Sequence, residues 1–163
     1  MIHAKVHQLS VKPETPGETG LPKASVDRVR VSAMGFDGDF NRNRHQKHAG
    51  DPDRAVLVMP LETIEELNAE GWPIKAGDLG ENVTTAGILH EKMTAGSVLR
   101  AGDVEMVFTK PNNPCKNLAD LPYVGKERCP EFIKTLLGRR GWFARVERAG
   151  TLRAGDSIQV DEA

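Results

Sequence analysis

The sequence predicts a mainly β fold, a barrel of short strands with a few peripheral helices. Most apolar residues fall in short runs that alternate with polar residues, which is the pattern of half-buried strands. Three stretches share a Gly-Asp turn, namely Ile74–Asp78, Leu99–Asp103 and Leu152–Asp156. Only two stretches have the length and periodicity of a helix. Hairpins that recur at uneven spacing favour a small barrel over a solenoid.

The first third of the chain predicts two strands and two loops. Alternating residues place the first strand at His3–Leu9. The prolines and glycines of residues 12–23 then indicate a loop. Ala24–Val31 reads as a strand with a bulge where the alternation slips. Residues 35–54 contain almost no apolar side chains, and a polar loop of this length is typically functional or mobile.

The remaining elements follow from apolar runs and helix signals. Ala55–Met59 predicts a buried strand, and a helix from Pro60 ends at Gly71, with Leu61, Ile64 and Leu67 as its buried stripe. Each Gly-Asp stretch predicts a hairpin. A second helix is expected at Pro130–Leu137, with proline at its first position, and a strand at Gly141–Glu147. These elements add up to two helices and about eight strands.

Composition narrows the class of protein. The 163 residues are 39% hydrophobic and 28% charged, which predicts one globular domain over residues 1–163. A net charge of -1 argues against a nucleic-acid or membrane partner. The N-terminus shows no signal-peptide pattern, so we expect a cytoplasmic protein. In that compartment Cys115 and Cys129 are expected as free thiols, with a disulfide between them as the minor alternative.

Cys115 is the leading candidate for chemistry. It follows the strand VEMVFTK in the stretch KPNNPCK, where Pro111 and Pro114 stiffen a turn and fix the cysteine at a barrel rim. Lys110 and Lys116 flank it and would favour the thiolate, the form that acts as nucleophile or metal ligand. The alternative is a small buried residue under a turn, because many cysteines are inert.

Three other stretches could bind an anion. The loop NRNRHQKHAGDPDR mixes histidines and carboxylates with arginines and a lysine, which suits a phosphate or carboxylate better than a metal. Its alternative is a solvated loop. The segment KAGDLGENVTT has the glycines and hydroxyls of an anion or heterocycle site, without a nucleotide-binding motif. Arg139 and Arg140 could bind an anion or cap the preceding helix, and the cap is favoured.

Taken in order, four stretches resemble the MOSC domain, named for the C-terminal part of molybdenum cofactor sulfurases. They are HAGDPDRAV, AGDLGENVTTAGI, AGDVEMVFTKPNNPC and GRRGWFARV with AGTLRAGDSIQV. They cover the chain from about residue 35 to its end. The resemblance to the stand-alone bacterial type implies a barrel of the pyruvate-kinase-barrel type. It also implies that the protein binds the molybdenum cofactor, molybdopterin.

The resemblance also implies a chemistry and its residues. Cys115 would ligate molybdenum in a reductase of N-hydroxylated compounds, with a small-molecule substrate and electrons from a flavin or haem protein. Alternatively Cys115 would carry a persulfide received from a cysteine desulfurase, or the barrel would bind an anion without chemistry. A monomer and a homodimer are both compatible with the sequence. Cofactor-binding residues are expected in these motifs and among nearby cations: His48, Arg54, Gly80, Glu81, Asn82, Thr84, Lys110, Asn113 and Arg140.

Two positions depart from the family pattern. Ala49 stands where the family has a glycine, and Asn112 stands where it often has an arginine. If that arginine holds an anion in relatives, another cation must replace it here. Lys110, Arg54 and Arg140 are the candidates.

Overall fold

A computed structural model describes residues 3–40 and 50–163 of the chain. Within these residues the chain forms eleven strands and two α-helices. The strands are β1 Ala4–Val11, β2 Ala24–Val26, β3 Arg28–Ser32, β4 Gly35–Phe36, β5 Val56–Pro60, β6 Val83–Ala86, β7 Val98–Ala101, β8 Val104–Pro111, β9 Trp142–Arg148, β10 Gly150–Arg153 and β11 Ser157–Asp161. The helices are α1 Leu61–Ala69 and α2 Gly125–Leu136.

Seven of the strands close into a barrel, as the sequence predicts. Their order is β11-β7-β8-β9-β5-β6-β1, and β1 pairs again with β11 through Ala4↔Ile158 and Lys5↔Ser157. Strand β2 extends β1 outside the ring, and β10, β3 and β4 form a second small sheet. Within the barrel only β5 and β6 pair in parallel, and α1 supplies the crossover that a parallel pair requires.

Helix α1 follows its sequence signals. It begins after Pro60, carries Glu62 in its first turn and buries Ile64 and Leu67. Gly71 follows with φ 101°, the left-handed conformation that ends many helices. The predicted stripe is slightly different, because Thr63 is buried while Leu61 is only partly so.

Helix α2 corrects the prediction of a start at Pro130. It begins five residues earlier, at Gly125, and Pro130 lies inside it on the exposed side. A proline inside a helix removes one backbone hydrogen bond, a cost that tertiary packing can offset. Here the buried face of Cys129, Phe132 and Leu136 supplies that packing.

Two further predictions need correction. Ala24–Val31 is not one strand, because the chain leaves β2 at Asp27 and enters β3 in the other sheet. Of the three Gly-Asp stretches, only Leu99–Asp103 joins two paired strands, β7 and β8. Leu152–Asp156 connects strands of different sheets, and Ile74–Asp78 forms turns without a strand. A Gly-Asp turn alone does not determine which strands pair, because the pairing also depends on how the strands close the barrel.

The apolar side chains form two clusters. One fills the barrel and includes Val56, Met106 and Phe108. The other lies between the barrel wall and the helices and includes Leu67, Leu79 and Phe132. In the described part of the chain no helix is long and apolar enough to cross a membrane.

Candidate functional site

A cleft opens at the barrel rim where β8 ends and β9 begins. Its lining comes from six separate parts of the chain: residues 20–23, Phe40, Leu57, residues 79–80, residues 112–117 and residues 140–143. Its enclosed volume is about 70 Å³. On the scale on which about 10 to 15 Å³ is enough for one water molecule, this space holds several waters or one small group.

Cys115 lies in this cleft and is half-buried. Strand β8 ends at Pro111 as predicted, and the Asn112 N–H donates to the Gly141 carbonyl at 2.9 Å, which ties the turn to the start of β9. The Cys115 carbonyl accepts from the Leu118 N–H at 3.1 Å and opens a short 3₁₀ turn over Lys116–Asp120. The thiol therefore sits on a turn held at both ends.

Arg140 is the cation that reaches Cys115. Its Nη1 lies 3.5 Å from Cys115 Sγ and 3.2 Å from the Asn113 carbonyl oxygen, and its Nη2 donates to the Leu79 carbonyl at 3.1 Å. Arg140 is only 6% exposed, and its Nε has no hydrogen-bond partner among residues 3–40 and 50–163. No carboxylate of those residues forms an ion pair with it. Among the residues that the structure describes, a buried positive charge thus stands beside the sulfur without a neutralising partner.

The two adjacent arginines divide the two roles expected for this pair. Arg139 donates to the Thr135 carbonyl near the end of α2 and pairs with Glu70, so it caps the helix. Arg140 turns the other way, into the cleft. Gly141 makes this possible with φ 80°, since a Cβ there would lie 2.3 Å from the Val58 carbonyl oxygen.

A second buried cation, Lys23, also lines the cleft. Its Nζ lies 2.6 Å from Asp39 Oδ2, and the two side chains are 3% and 7% exposed. Asp39 also accepts from the Lys12 N–H at 2.9 Å and from Asn82 Nδ2 at 2.8 Å. Sequence reasoning missed Lys23, because it reads as the end of a loop and no motif spacing connects it with Cys115.

The segment GENVTT forms the wall behind the cleft. Gly80 lines the cleft itself, whereas Asn82 accepts from the Leu57 N–H and donates to Asp39 and to the Ser10 carbonyl. Thr84 is buried in β6, and its hydroxyl has no partner among the described residues. The side-chain amide of Asn82 is thus used in holding the wall together.

Glu81 is a buried carboxyl in the same wall. It is 0% exposed, and its Oε1 accepts from the Gly77 N–H. Its Oε2 has no partner in the described part of the chain. Burial raises the pKa of Glu81 to about 8, against the hydrogen bond from Gly77, which lowers it. Glu81 is therefore mainly neutral at pH 7 and adds little negative charge to the cleft wall.

The remaining predicted site residues lie elsewhere. Lys110 and Arg54 both pair with Asp51, at 3.4 and 3.8 Å, and neither lines the cleft. The Arg54 guanidinium stacks on Phe143, 5.0 Å from the ring centroid, and Phe143 itself lines the cleft. Of the three cations considered for the missing motif arginine, Arg140 lies in the cleft. His48 falls outside the described residues.

No ready-made metal site accompanies the cysteine. Within residues 3–40 and 50–163 no group of three or more His, Cys, Asp or Glu side chains could hold a metal ion. Cys129, the other thiol, is buried, with its Sγ 3.8 Å from the Lys116 carbonyl oxygen. Three asparagines, Asn112, Asn113 and Asn117, border the cleft instead.

Comparison with known proteins identifies relatives along most of the chain. The model of the MOSC domain family matches residues 45–159. The protein YflK of Bacillus subtilis is 30% identical over 147 residues, which cover 88% of this chain and 63% of YflK. A protein named Reductase from Gibberella moniliformis is 29% identical over 141 residues, which cover 82% of this chain and 24% of that protein. The chain thus spans less than two thirds of the length of either relative.

A solved structure supports the same fold. The crystal structure of YuaD from Bacillus subtilis matches with a TM-score of 0.82 at 22% sequence identity. The match covers 99% of this chain and 97% of YuaD. At this identity the likeness concerns the barrel fold and not the chemistry of the cleft.

Proposed function

Because the chain belongs to the MOSC domain family, we propose that it binds a molybdenum cofactor at the cleft and reduces N-hydroxylated compounds there. One observation carries the proposal: the Cys115 thiol and the buried Arg140 guanidinium meet in one open cleft. The name Reductase of the Gibberella relative agrees with redox chemistry, although this chain corresponds to only 24% of that protein.

The residues of the cleft fit such a cofactor. A half-buried cysteine sulfur is a suitable soft ligand for a transition metal. The positive charge of Arg140 suits the anionic part of a phosphorylated cofactor, because arginine offers a planar fork of donors to oxyanions. The enclosed 70 Å³ accommodates one end of such a cofactor, so its larger part would lie across the open mouth.

Several residues of the cleft have a definable task in this proposal. When bound, molybdenum with its pterin supplies the oxidation–reduction chemistry, while electrons come from a flavin or haem partner. The Cys115 sulfur serves as the ligand that the protein contributes. Arg140 neutralises negative charge next to that sulfur, and its bond to Asn113 holds the turn in place. The amides of Asn112 and Asn117 offer donors and acceptors to a polar substrate.

The test is co-expression of the chain with the genes for cofactor synthesis, followed by metal analysis of the purified protein. We expect molybdenum in the wild type and none in Cys115→Ser, because the variant lacks the sulfur ligand. Cys129→Ser is the matched control, since its buried thiol lies outside the cleft lining, and it should keep the metal. Loaded protein should reduce an amidoxime with electrons from a reduced viologen dye. Molybdenum-free wild type, or a loaded Cys115→Ser, contradicts the proposal.

A second candidate function is sulfur transport on a Cys115 persulfide. It is favoured by the 3.5 Å contact between Arg140 Nη1 and Cys115 Sγ, because a guanidinium stabilises an anionic sulfur. Incubation with a cysteine desulfurase and labelled cysteine tests it. The label should appear on the wild type and be absent from Cys115→Ala, and equal labelling of both rules the function out.

A further inference from the structure

The charges around the cleft do not balance. Lys23 and Arg140 both line it and both are almost fully buried, while Asp39 is the carboxylate that pairs with one of them. Asp39 also accepts from the Lys12 N–H and from Asn82, so its charge is shared among three donors. Glu81, behind the wall, is mainly neutral at pH 7 because burial raises its pKa to about 8. Counted over residues 3–40 and 50–163, one buried positive charge therefore stays uncompensated beside Cys115.

Residues that line the cleft also carry donors without a partner in the described part of the chain. The Arg140 Nε is buried and lacks a partner among the described residues. An ammonium group has three N–H donors, and one of those of Lys23 is directed to Asp39. Leaving a buried donor unpaired is costly, so such atoms indicate a ligand that would pair with them.

The size of the cleft restricts the ligand. The cleft volume of about 70 Å³, on a scale where about 10 to 15 Å³ holds one water, is sufficient for an oxyanion of a few heavy atoms. The net positive charge of Lys23, Arg140 and Asp39 favours a negative ligand, and the nearby thiol can react with a ligand that has an electrophilic end.

We propose that the cleft binds a small oxyanion that carries a sulfane sulfur, of the thiosulfate type, and that Cys115 accepts this sulfur. The proposal is independent of molybdenum. It rests on the sulfur-carrier candidate and deepens it by naming an inorganic donor in place of a partner enzyme.

The reaction balances without a further oxidant. The Cys115 thiolate attacks the sulfane sulfur of thiosulfate, and a new S–S bond forms as the bond to the sulfonate sulfur breaks. The electron pair of the broken bond leaves with sulfite. The thiol proton passes to solvent or to the new persulfide, so one thiol and one thiosulfate give one persulfide and one sulfite. Arg140 and Lys23 hold the sulfonate oxygens and stabilise the charge that accumulates there.

The experiment mixes the purified chain with thiosulfate and follows two products. Sulfite should appear in a burst equal to the amount of protein, and peptide mass spectrometry should find one extra sulfur atom on Cys115. Cys115→Ser should give neither product. Cys129→Ser should behave as wild type, because its buried thiol lies outside the cleft lining. Absence of both products in folded wild-type protein, or a sulfur atom found on Cys129 instead, overturns the proposal.

The role of the cations is tested with two adjacent arginines. Arg140→Gln should lower the second-order rate with thiosulfate by about tenfold or more, the range expected for a lost charged hydrogen bond. Arg139→Gln is the matched control, since Arg139 pairs with Glu70 away from the cleft, and it should keep the wild-type rate. Equal rates in the two variants contradict the assignment.

A measurement on the wild type covers the case in which Arg140→Gln does not fold. Iodoacetamide is uncharged, so its approach to Cys115 does not depend on attraction by the cations. Sulfate, which is unreactive, should slow this alkylation if the oxyanion site exists, and uncharged sulfamide should not. Chloride at equal ionic strength is the control for screening. If sulfate slows the alkylation no more than chloride does, the oxyanion site is refuted. Metal analysis of the same samples separates this result from any result on the molybdenum proposal.

Discussion

Glu81 offers the sharpest test of the physical description of the cleft wall. Its carboxyl is fully buried, with Oε1 bonded to the Gly77 N–H and Oε2 without a partner among residues 3–40 and 50–163. Glu81→Gln keeps the shape and the acceptor oxygen while removing the ability to ionise. The variant therefore reproduces the neutral form of Glu81 at every pH.

The size and sign of the contribution of Glu81 to the free energy of unfolding follow from the pKa of its carboxyl group. Burial raises it from the usual 4.5 to about 8, so the folded state holds a proton that the unfolded state has released. The free energy of unfolding must then fall as pH rises from about 4.5 to about 8, and the loss is complete above that range. The two values differ by about 3.5, and at about 1.4 kcal/mol for each pH unit the loss approaches 5 kcal/mol as an upper limit.

Urea unfolding of wild type and Glu81→Gln at pH values from 5 to 9 measures how the free energy of unfolding depends on pH. The stability of the variant relative to wild type should increase by several kcal/mol from pH 5 to about pH 8 and then level off. Glu70→Gln is the contrasting control. Its partner Arg139 lowers the pKa of Glu70, so its stabilisation is present above 4.5 and disappears only in acid, with no slope between pH 5 and 9. Parallel curves for wild type and Glu81→Gln would refute the buried, neutral Glu81.

Three further predictions concern stability, each measured by urea unfolding. Gly141→Ala should destabilise the protein by about 3 kcal/mol or more, because its Cβ would lie 2.3 Å from the Val58 carbonyl oxygen. The control is Gly155→Ala, which has φ 92° but open space around it and should cost about 1 kcal/mol. Equal costs of the two substitutions would contradict the close approach at Gly141. Asn82→Ala should cost about 2 to 5 kcal/mol, since the Leu57 N–H and Asp39 each lose a partner, and a loss below 1 kcal/mol would contradict this. Pro130→Ala should stabilise by about 1 to 2 kcal/mol by completing the α2 hydrogen bonds, and destabilisation would mean that the proline shapes the packing of the helix.

The parts of the fold that were predictable depend on local physics. Alternation and a Gly-Asp turn define the β7–β8 hairpin, and β8 ends at Pro111 because proline cannot donate to a ladder. Helix α1 carries its own start and stop signals. The start of α2 was not predictable, because it lacks a side-chain cap and Pro130 resembles a first helical residue.

The same limit applies to the cleft. Cys115 stands out because a stiff turn follows a strand, so local sequence identifies it. Arg140 and Cys115 are 25 positions apart, and Lys23 lies in another loop of the chain. Their meeting depends on barrel closure and on the burial of Asp39, and no spacing in the sequence encodes either. Motif resemblance could point to Arg140 but gave no signal for Lys23.

Arg140 combines two functions that one further variant can separate. Its guanidinium bridges the Leu79 and Asn113 carbonyls, and it also places positive charge beside Cys115. Arg140→Lys keeps the charge but cannot span both carbonyls, because an ammonium is a point charge without the planar fork. If charge attracts the ligand, this variant should keep a preference of Cys115 for anionic iodoacetate over iodoacetamide that Arg140→Gln loses, while both variants lose about 1 to 3 kcal/mol of stability. If Arg140→Lys loses the preference as fully as Arg140→Gln does, the reactivity of Cys115 toward anions depends on the bridge between the Leu79 and Asn113 carbonyls and not on the charge.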